Sequence, residues 1–430
     1  MEYCARCMYP ANAKPTIIMD DEGVCSGCRY HESRGGLEIS WDEREKMLAQ
    51  ILDEAKVMAR ERGNSHDCIV PISGGKDSHY QVWLLKEKYG MNPLLVKFNH
   101  AFNAPSGIRN LENLVSKSGF DLIRYTAGLD SVRRISKYML ETVGDVTWHY
   151  HAGIRTFPFQ VAVNYNIPLI VWGEHGFAEL TGLVTLEDFV EFTKWTRKEH
   201  DMRGFEPNDL VGKGGITEKD IAPYVYPTDD KIAETEVRGI YLSNFVVWDA
   251  KCQGETMQEK WDFAPITYKR DRTFNIYAKI DDHANDVHDY LKYLKFGYGR
   301  ATDDASIEIR HGRMTREEGI EMVRQYDATE PSTLAMYCDF LGMKTEDFYK
   351  LVEPMRDPSV WEKLNDGPWK PKDSITRHEI EASEEAARVS QSEDRTFAPH
   401  NMHLYYNEAS PPEKTGDPRL DEFPRKFQIL

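Results

Sequence analysis

The run Ser73-Gly-Gly-Lys-Asp-Ser78 constrains this chain most, because of what flanks it. Before it stands a short apolar segment, Cys68-Ile-Val-Pro-Ile72, that reads as a buried strand. Behind it a helical pattern covers 78–89 and stops at Gly90. Two glycines let the backbone turn tightly and approach a ligand closely. The N-terminus of the following helix offers unpaired amides and a partial positive charge, a seat for an anion. Ser73 and Ser78 add hydroxyls, and Asp77 adds a carboxylate able to hold a Mg²⁺ that a polyphosphate would bring. The spacing is neither that of the common NTPase loop, G-x-x-x-x-G-K-S/T, nor that of the dinucleotide pattern G-x-G-x-x-G.

The same rhythm continues. Leu94–Phe98, Leu122–Tyr125 and Pro168–Trp172 read as strands, and 107–118, 130–142 and 154–165 as helices. Alternating strands and helices with short connections predict an α/β fold, a doubly wound parallel sheet over 67–180. Ahead of it lie a small Cys/Gly-containing unit at 1–35 and a connecting segment at 36–66. Within that segment Trp41, Met47, Leu48, Ile51, Leu52, Ala55 and Met58 mark a helix. Beyond 181 the segments become longer, more acidic and mainly helical, with predicted helices at 315–326 and 345–352. This region, 181–354, is expected to serve substrate or partner. Residues 355–430 read as an extended tail, with a charged helix over 379–394.

The formal charge is -17, which excludes a long polyanion as the main partner. It is unevenly spread: 67–180 carries 11 basic and 10 acidic residues, whereas 181–354 carries 23 and 34. A near-neutral motif region suits a small phosphorylated ligand, and 181–430 is the surface to expect a protein partner on. The run Ile167–Trp172 is six residues, against about twenty for a spanning helix. Asp20, Asp21 and Glu22 interrupt the N-terminus, where a signal peptide has an apolar core. The expectation is a cytoplasmic protein, without nucleic acid or membrane as partner.

Four of the seven cysteines form two pairs, Cys4-x2-Cys7 and Cys25-x2-Cys28, with 17 residues between them. Four thiolates on two such knuckles suit a closed, structural Zn²⁺ site. A redox role would need only one pair, and an iron–sulfur site fits this spacing less well. A 35-residue unit has no sizeable core, so the metal would supply its stability.

Three further stretches carry polar chemistry. In Gly173-Glu-His-Gly-Phe-Ala-Glu179, Glu174 and Glu179 can complete a Mg²⁺ shell, and His175 can bond substrate or move protons. The competing reading is a polar loop that caps the next helix. In Thr147-Trp-His-Tyr-His-Ala-Gly-Ile-Arg155, His149, His151 and Arg155 are expected to contact substrate, against ordinary core or surface histidines. In Tyr293-Leu-Lys-Phe-Gly-Tyr-Gly-Arg-Ala-Thr-Asp-Asp304, the residues Lys295, Arg300 and Asp303 suit a phosphorylated or sugar ligand. Thr315 and Glu318, nearby, have the spacing of a helix-capping box.

The hexapeptide resembles the SGGxDS loop of the PP-loop ATP pyrophosphatases, which have a HUP-like sheet. That resemblance implies that Ser73, Gly74, Gly75, Asp77 and Ser78 grip the departing pyrophosphate, with Lys76 at the variable position. It implies that the first and fourth strands are neighbours, so that Gly173, Glu174 and His175 meet the loop. It also implies that Lys97, Phe98 and Asn99, at the tip of the second strand, lie near adenine. Catalytic roles fall on Asp77, Ser73, Ser78, Glu174 and His175, and Mg²⁺ on Asp77 and Glu179.

Four features together, over about residues 1–355, are similar to the N-acetyl-sugar amidotransferases of O-antigen and flagellin-sugar biosynthesis. They are the four-cysteine unit, SGGKDS, WGEHG, and KFGYGRATDD running on to RHGRMTREEG. The implied reaction turns a sugar acetamido group into an acetamidino group. ATP adenylates the amide oxygen, ammonia displaces AMP, and Mg²⁺ and a structural Zn²⁺ assist. The implied partners are a nucleotide-linked diacetamido sugar and a separate glutaminase with a cyclase-like protein that supplies ammonia. Two alternative functions compete with this one. A PP-loop tRNA sulfurtransferase would need cysteines beside the loop, and Cys68, Cys252 and Cys338 form no pair. A zinc-bearing scaffold with a dead nucleotide loop is at odds with the intact Ser73, Asp77 and Ser78.

Overall fold

The computed structural model describes residues 1–363, 365, 367–378 and 388–389. Five short apolar runs form one sheet: β1 (Cys68–Pro71), β2 (Pro93–Phe98), β3 (Leu122–Tyr125), β4 (Leu169–Trp172) and β5 (Arg238–Tyr241). All pairings are parallel, in the order β3-β2-β1-β4-β5. Side chains alternate between two cores, which is why the central strands read as unbroken apolar runs. Cys68, Val70, Leu95 and Val171 face a core shared with α2 (Trp41–Glu61), α3 (Lys76–Glu87) and α4 (Pro105–Ser118). Ile69, Leu94, Val96 and Ile170 face the other, which α6 (Trp148–Tyr165) covers. The doubly wound expectation holds.

Two boundaries differ from the sequence reading. The sheet does not end near 180, because β5 comes from the region read as mainly helical and pairs Leu169–Trp172 with Arg238–Tyr241. An edge strand of four residues with a central glycine carries too little periodicity to be seen. Helix α6 also begins at Trp148, not 154, so the polar stretch His149–Arg155 is helical.

The later region packs on the sheet domain through a shared core. α5 (Leu129–Val143), Phe102 and Trp148 meet Tyr290, Leu294, Tyr337, Phe348, Val360 and Trp361. The helices there include Ala284–Phe296, Arg300–Arg310, Arg316–Tyr326 and Thr345–Val352. Residues 355–378, expected to open an extended tail, instead form a hairpin, Trp361–Lys363 with Trp369–Pro371, and a short helix, Ile375–His378. Trp361 and Val360 are buried, so this segment belongs to the core. The helix expected over 379–394 lies outside the described residues except at 388–389, a strand paired with Thr329–Glu330. No helix among the described residues is long and apolar enough to cross a membrane.

Candidate functional site

The order of the sheet reverses between β1 and β4, and the loops at their carboxyl ends meet there. The loop after β1 holds itself in shape. The Ser73 amide donates to Ser78 Oγ at 2.9 Å, and the Gly75 amide donates to Ser73 Oγ at 3.1 Å. Gly74 has φ +100°, and a Cβ there would lie 3.0 Å from Leu111, so no other residue fits. From β2, Lys97 Nζ donates to the Ser73 carbonyl at 2.9 Å. Gly75 then caps α3, whose first amides stay open to a ligand.

In front of this loop lies a cavity of about 710 Å³. Lys76, Asp77, Glu174 and Phe177 form one wall. His151 and Arg155 of α6, with His200, Asp201 and Arg203, form another. Residues 275–313 close it with Lys279, His288, Asp289, Lys292, Lys295, Arg300, Asp303 and Asp304. Ten Lys/Arg and ten Asp/Glu side chains line it, so the cavity is balanced in a chain of charge -17. An anionic ligand therefore meets no net repulsion there.

Of the residues expected to act, Lys76, Asp77, Glu174, Glu179, His151, Arg155, Lys295, Arg300 and Asp303 reach this wall. The others do not line it. His149 is buried in α6, bonded to the His100 carbonyl at 3.1 Å and facing Ser136 Oγ at 3.3 Å. Its neighbour two residues on turns to the cavity, because successive helix positions point in different directions. His175 caps α7 (Gly176–Thr181), its Nδ1 accepting from the Ala178 amide at 3.3 Å. Asn99 bonds Thr126 and Asn103, and Phe98 sits in the core against Gly153. All six residues of β2 are buried, so packing absorbs the side chains at its tip.

Glu179 faces the cavity, but its carboxylate is paired with Arg34 and accepts from Tyr30 Oη. That carboxylate is taken, so Asp77 and Glu174 are the carboxylates left that could hold a cation. Asp77 Oδ2 accepts from Lys76 Nζ at 2.6 Å, while Oδ1 is buried without a hydrogen-bond partner. Burial first, and the Asp77 carboxylate second, push the Glu174 carboxyl up to about 7. An orphaned carboxylate oxygen beside a carboxyl that resists ionisation fits a divalent cation.

The sign of that shift gives a prediction. The folded chain favours protonated Glu174, so ionisation costs stability above about pH 7 and nothing below the usual value of 4.5. Glu174→Gln should therefore stabilise the free protein by about 1–3 kcal/mol at alkaline pH and by almost nothing near pH 4. Urea melts at the two pH values check this. An equal gain at both would show that charge is not the cause.

Sequence reasoning missed Lys279, His288, Asp289 and Lys292. Two of them did carry a signal: His288 and Lys292, with the expected Lys295, recur four and three residues apart on the helix Ala284–Phe296. They make a polar stripe beside that of Val287, Leu291 and Leu294, which are buried. The wall is tied internally by ion pairs. Arg300 grips Asp289 at 2.9 and 3.0 Å and Asp303 at 3.1 Å, while Lys292 pairs with Asp303.

The four N-terminal cysteines converge. Their sulfurs all lie within 4.8 Å of one another, with Cys4–Cys28 at 3.8 Å and Cys7–Cys25 at 3.6 Å. Backbone amides point at them as well, Cys25 N–H at Cys4 Sγ and Tyr9 N–H at Cys7 Sγ. Hydrogen bonds from Cys25 and Cys28 lower the Cys4 thiol to about 6, whereas Cys25 is raised by bonds to Cys28 and Cys4. Four clustered sulfurs in a buried pocket can hold a metal ion.

Residues 268–375 match the family model described as LPS biosynthesis protein WbpG-like, C-terminal domain. They form a WbpG-like C-terminal domain. A curated relative, an uncharacterized protein of Methanocaldococcus jannaschii, is 26% identical over 156 residues, 34% of this chain and 54% of its own. The chain thus spans about half the length of that relative. Two solved structures are similar at low identity. NMN synthetase from Francisella tularensis has 13% identity and a TM-score of 0.25, over 53% of this chain and 99% of its own. The U34-tRNA thiolase NcsA from Methanococcus maripaludis, with its 4Fe–4S cluster, has 15% and 0.30, over 73% and 87%. Similarity at that level says nothing about activity.

The WbpG-like domain serves both sites. It supplies Lys279, His288, Lys292, Lys295 and Arg300 to the cavity. It also sends two arginines to the cysteine unit. Arg310 Nη2 lies 3.6 Å from Cys25 Sγ, and Arg316 donates to the carbonyls of Cys4 and Cys7 at 2.6 and 2.7 Å.

Proposed function

We propose that the chain is an ATP-dependent amidotransferase of surface-polysaccharide biosynthesis that converts a sugar acetamido group into an acetamidino group. One observation carries this reading. The SGGKDS loop and the WbpG-like domain open on the same cavity, whose size lies within the roughly 300–1,000 Å³ of ligand sites. ATP and a sugar can therefore meet in one place.

The α3 N-terminus and Lys76 bind the phosphates, and Arg155, Lys279 and Arg300 face the sugar side. Mg²⁺ held by Asp77 and Glu174 would neutralise phosphate charge as pyrophosphate leaves. The amide oxygen attacks the α-phosphorus, and the bond to the bridging oxygen breaks with its electrons going to pyrophosphate. The oxygen is now a good leaving group. Ammonia forms a C–N bond at the imidate carbon, the C–O bond breaks, AMP departs and a proton passes to solvent. The ammonia comes from a separate glutaminase, and the sugar arrives on a nucleotide carrier.

We assign the cysteine centre to structural Zn²⁺. A tetrahedron of 2.3 Å Zn–S bonds has edges of about 3.8 Å, which the 3.6 and 3.8 Å sulfur separations support. A cubane cluster would hold the sulfurs farther apart. The sulfurtransferase alternative finds no support at the cavity, because no cysteine is among its lining residues. Cys68 is buried in β1.

Incubation with ATP, Mg²⁺, ammonium and nucleotide-linked diacetamido sugars should release AMP and give a product in which NH replaces O. Mass spectrometry and nucleotide chromatography read both. No AMP across a broad panel of acetamido sugars would overturn the reading, and thiolated tRNA from the purified protein would replace it.

A further inference from the structure

Two imidazoles in the cavity wall have no task in the scheme above. His151 of α6 and His288 of the helix Ala284–Phe296 stand edge to face, their ring centroids 5.9 Å apart. Nδ1 of each lies 3.2 Å from Thr147 Oγ1. The same hydroxyl lies 2.9 Å from Asp145 Oδ1, which also accepts from the Thr147 amide at 2.6 Å. Arg203 Nε donates to the other carboxylate oxygen at 2.9 Å. Burial opposes ionisation of Asp145, but Arg203, the two imidazoles and the Thr147 amide together outweigh it and hold the carboxyl below its usual range.

The hydrogens in this cluster follow by counting. An ionised carboxylate only accepts, and a threonine hydroxyl has one hydrogen and two lone pairs. Thr147 therefore donates to Asp145 and presents its lone pairs to both rings. Each Nδ1 must then carry the ring hydrogen, which leaves each Nε2 with a bare lone pair. Neither Nε2 has a protein partner among the described residues, and both rings line the cavity. Burial also keeps the rings neutral, pushing His288 down to about 3 and His151 well below its usual value.

Two neutral acceptors in one cavity wall suit a small N–H donor. Arg203, Lys279 and Lys295 stand in the same wall and are offset by Asp145, Asp201 and Asp289, so the seat carries no net charge that would select an ion over an uncharged donor. We propose that His151 and His288, oriented through Thr147 and Asp145, form the subsite that receives ammonia, accepting its hydrogens while its lone pair stays free for the imidate carbon. This rests on the amidotransferase reading. The other N–H of that reaction, on the acetamido group itself, is the competing occupant.

His151→Asn and His288→Asn test it, because asparagine keeps an N–H near Thr147 and deletes Nε2. Each should raise the ammonia KM about tenfold or more, while sugar-dependent ATP–pyrophosphate exchange stays within about twofold. A parallel fall in exchange would show a structural role and overturn the proposal. A rise in the sugar KM instead would give the pair to the acetamido group. Nitrogen-15 spectra of histidine-labelled protein provide a readout without turnover. Both rings should be Nδ1–H tautomers whose Nε2 signals respond to ammonium chloride at mildly alkaline pH and not to N-acetylglucosamine. Nε2–H tautomers, or a response to the sugar alone, would overturn the assignment. Should the wild-type chain release no AMP with any acetamido sugar, the amidotransferase reading falls separately, and these spectra still decide the ammonia seat.

Discussion

Asp77→Asn is expected to cut AMP release by roughly 10²–10³-fold, the loss usual when a preorganised charge at a reacting phosphate is removed. Metal content and melting temperature should barely change. Asp77 is a third exposed, and its one ion pair, with Lys76, joins adjacent residues at the start of α3. Losing that pair leaves the buried Lys76 ammonium to Glu174, which ionises more readily once the like charge beside it is gone, so the two changes offset. The substitution thus separates chemistry from folding. AMP chromatography, atomic emission for bound metal and a thermal melt form the test. Undiminished AMP release would remove Asp77 from the reaction, and a drop in bound metal would mean that the cysteine centre and the loop are not independent.

The second large effect concerns the cysteine centre. Cys7→Ala, or a strong chelator, should release the metal and destabilise the chain by at least about 5 kcal/mol, a part of the ~10–16 kcal/mol seen for isolated zinc peptides. The part lost is smaller because the unit is also held by protein contacts: Arg316 to the Cys4 and Cys7 carbonyls, and Lys14 N–H to Tyr298 Oη at 2.7 Å. Turnover should fall too. The Arg310 guanidinium that faces Cys7 and Cys25 also donates to the carbonyls of Glu179 and Leu180, at 3.2 and 2.9 Å. Ser26 Oγ donates to the Thr181 carbonyl at 2.6 Å, and Gly182 packs against the Ser26 backbone. The cavity wall at α7 therefore rests on the cysteine unit. Denaturant melts with and without chelator check the first claim, and ATP turnover checks the second. A metal-free chain that melts like the wild type would refute both.

What was legible in advance divides along a physical line. Helix α2 shows in its apolar spacing, to which the structure adds a Ser40/Glu43 capping box. The loop after β1 shows because strand, glycine pair and helix start are contiguous. Strand β5 does not show, since its four residues gain their meaning only from β4 beside them. His149 and His151 look alike in the chain, yet one bonds the His100 carbonyl inside the core and the other faces the cavity. Glu174 and Glu179 look alike too, until Arg34 and Tyr30, far away in sequence, occupy the second.

The amino-acid order alone determined the doubly wound sheet, the glycine turn that opens α3 and the two cysteine knuckles, because local spacing sets backbone conformation and places nearby side chains together. Only the tertiary structure decided which carboxylates stay free for a cation and which histidines turn outward. It alone brings the WbpG-like domain to both the loop and the cysteines. Those outcomes depend on burial and on partners from about fifty to about 150 residues apart, and such pairings leave no periodicity in the chain.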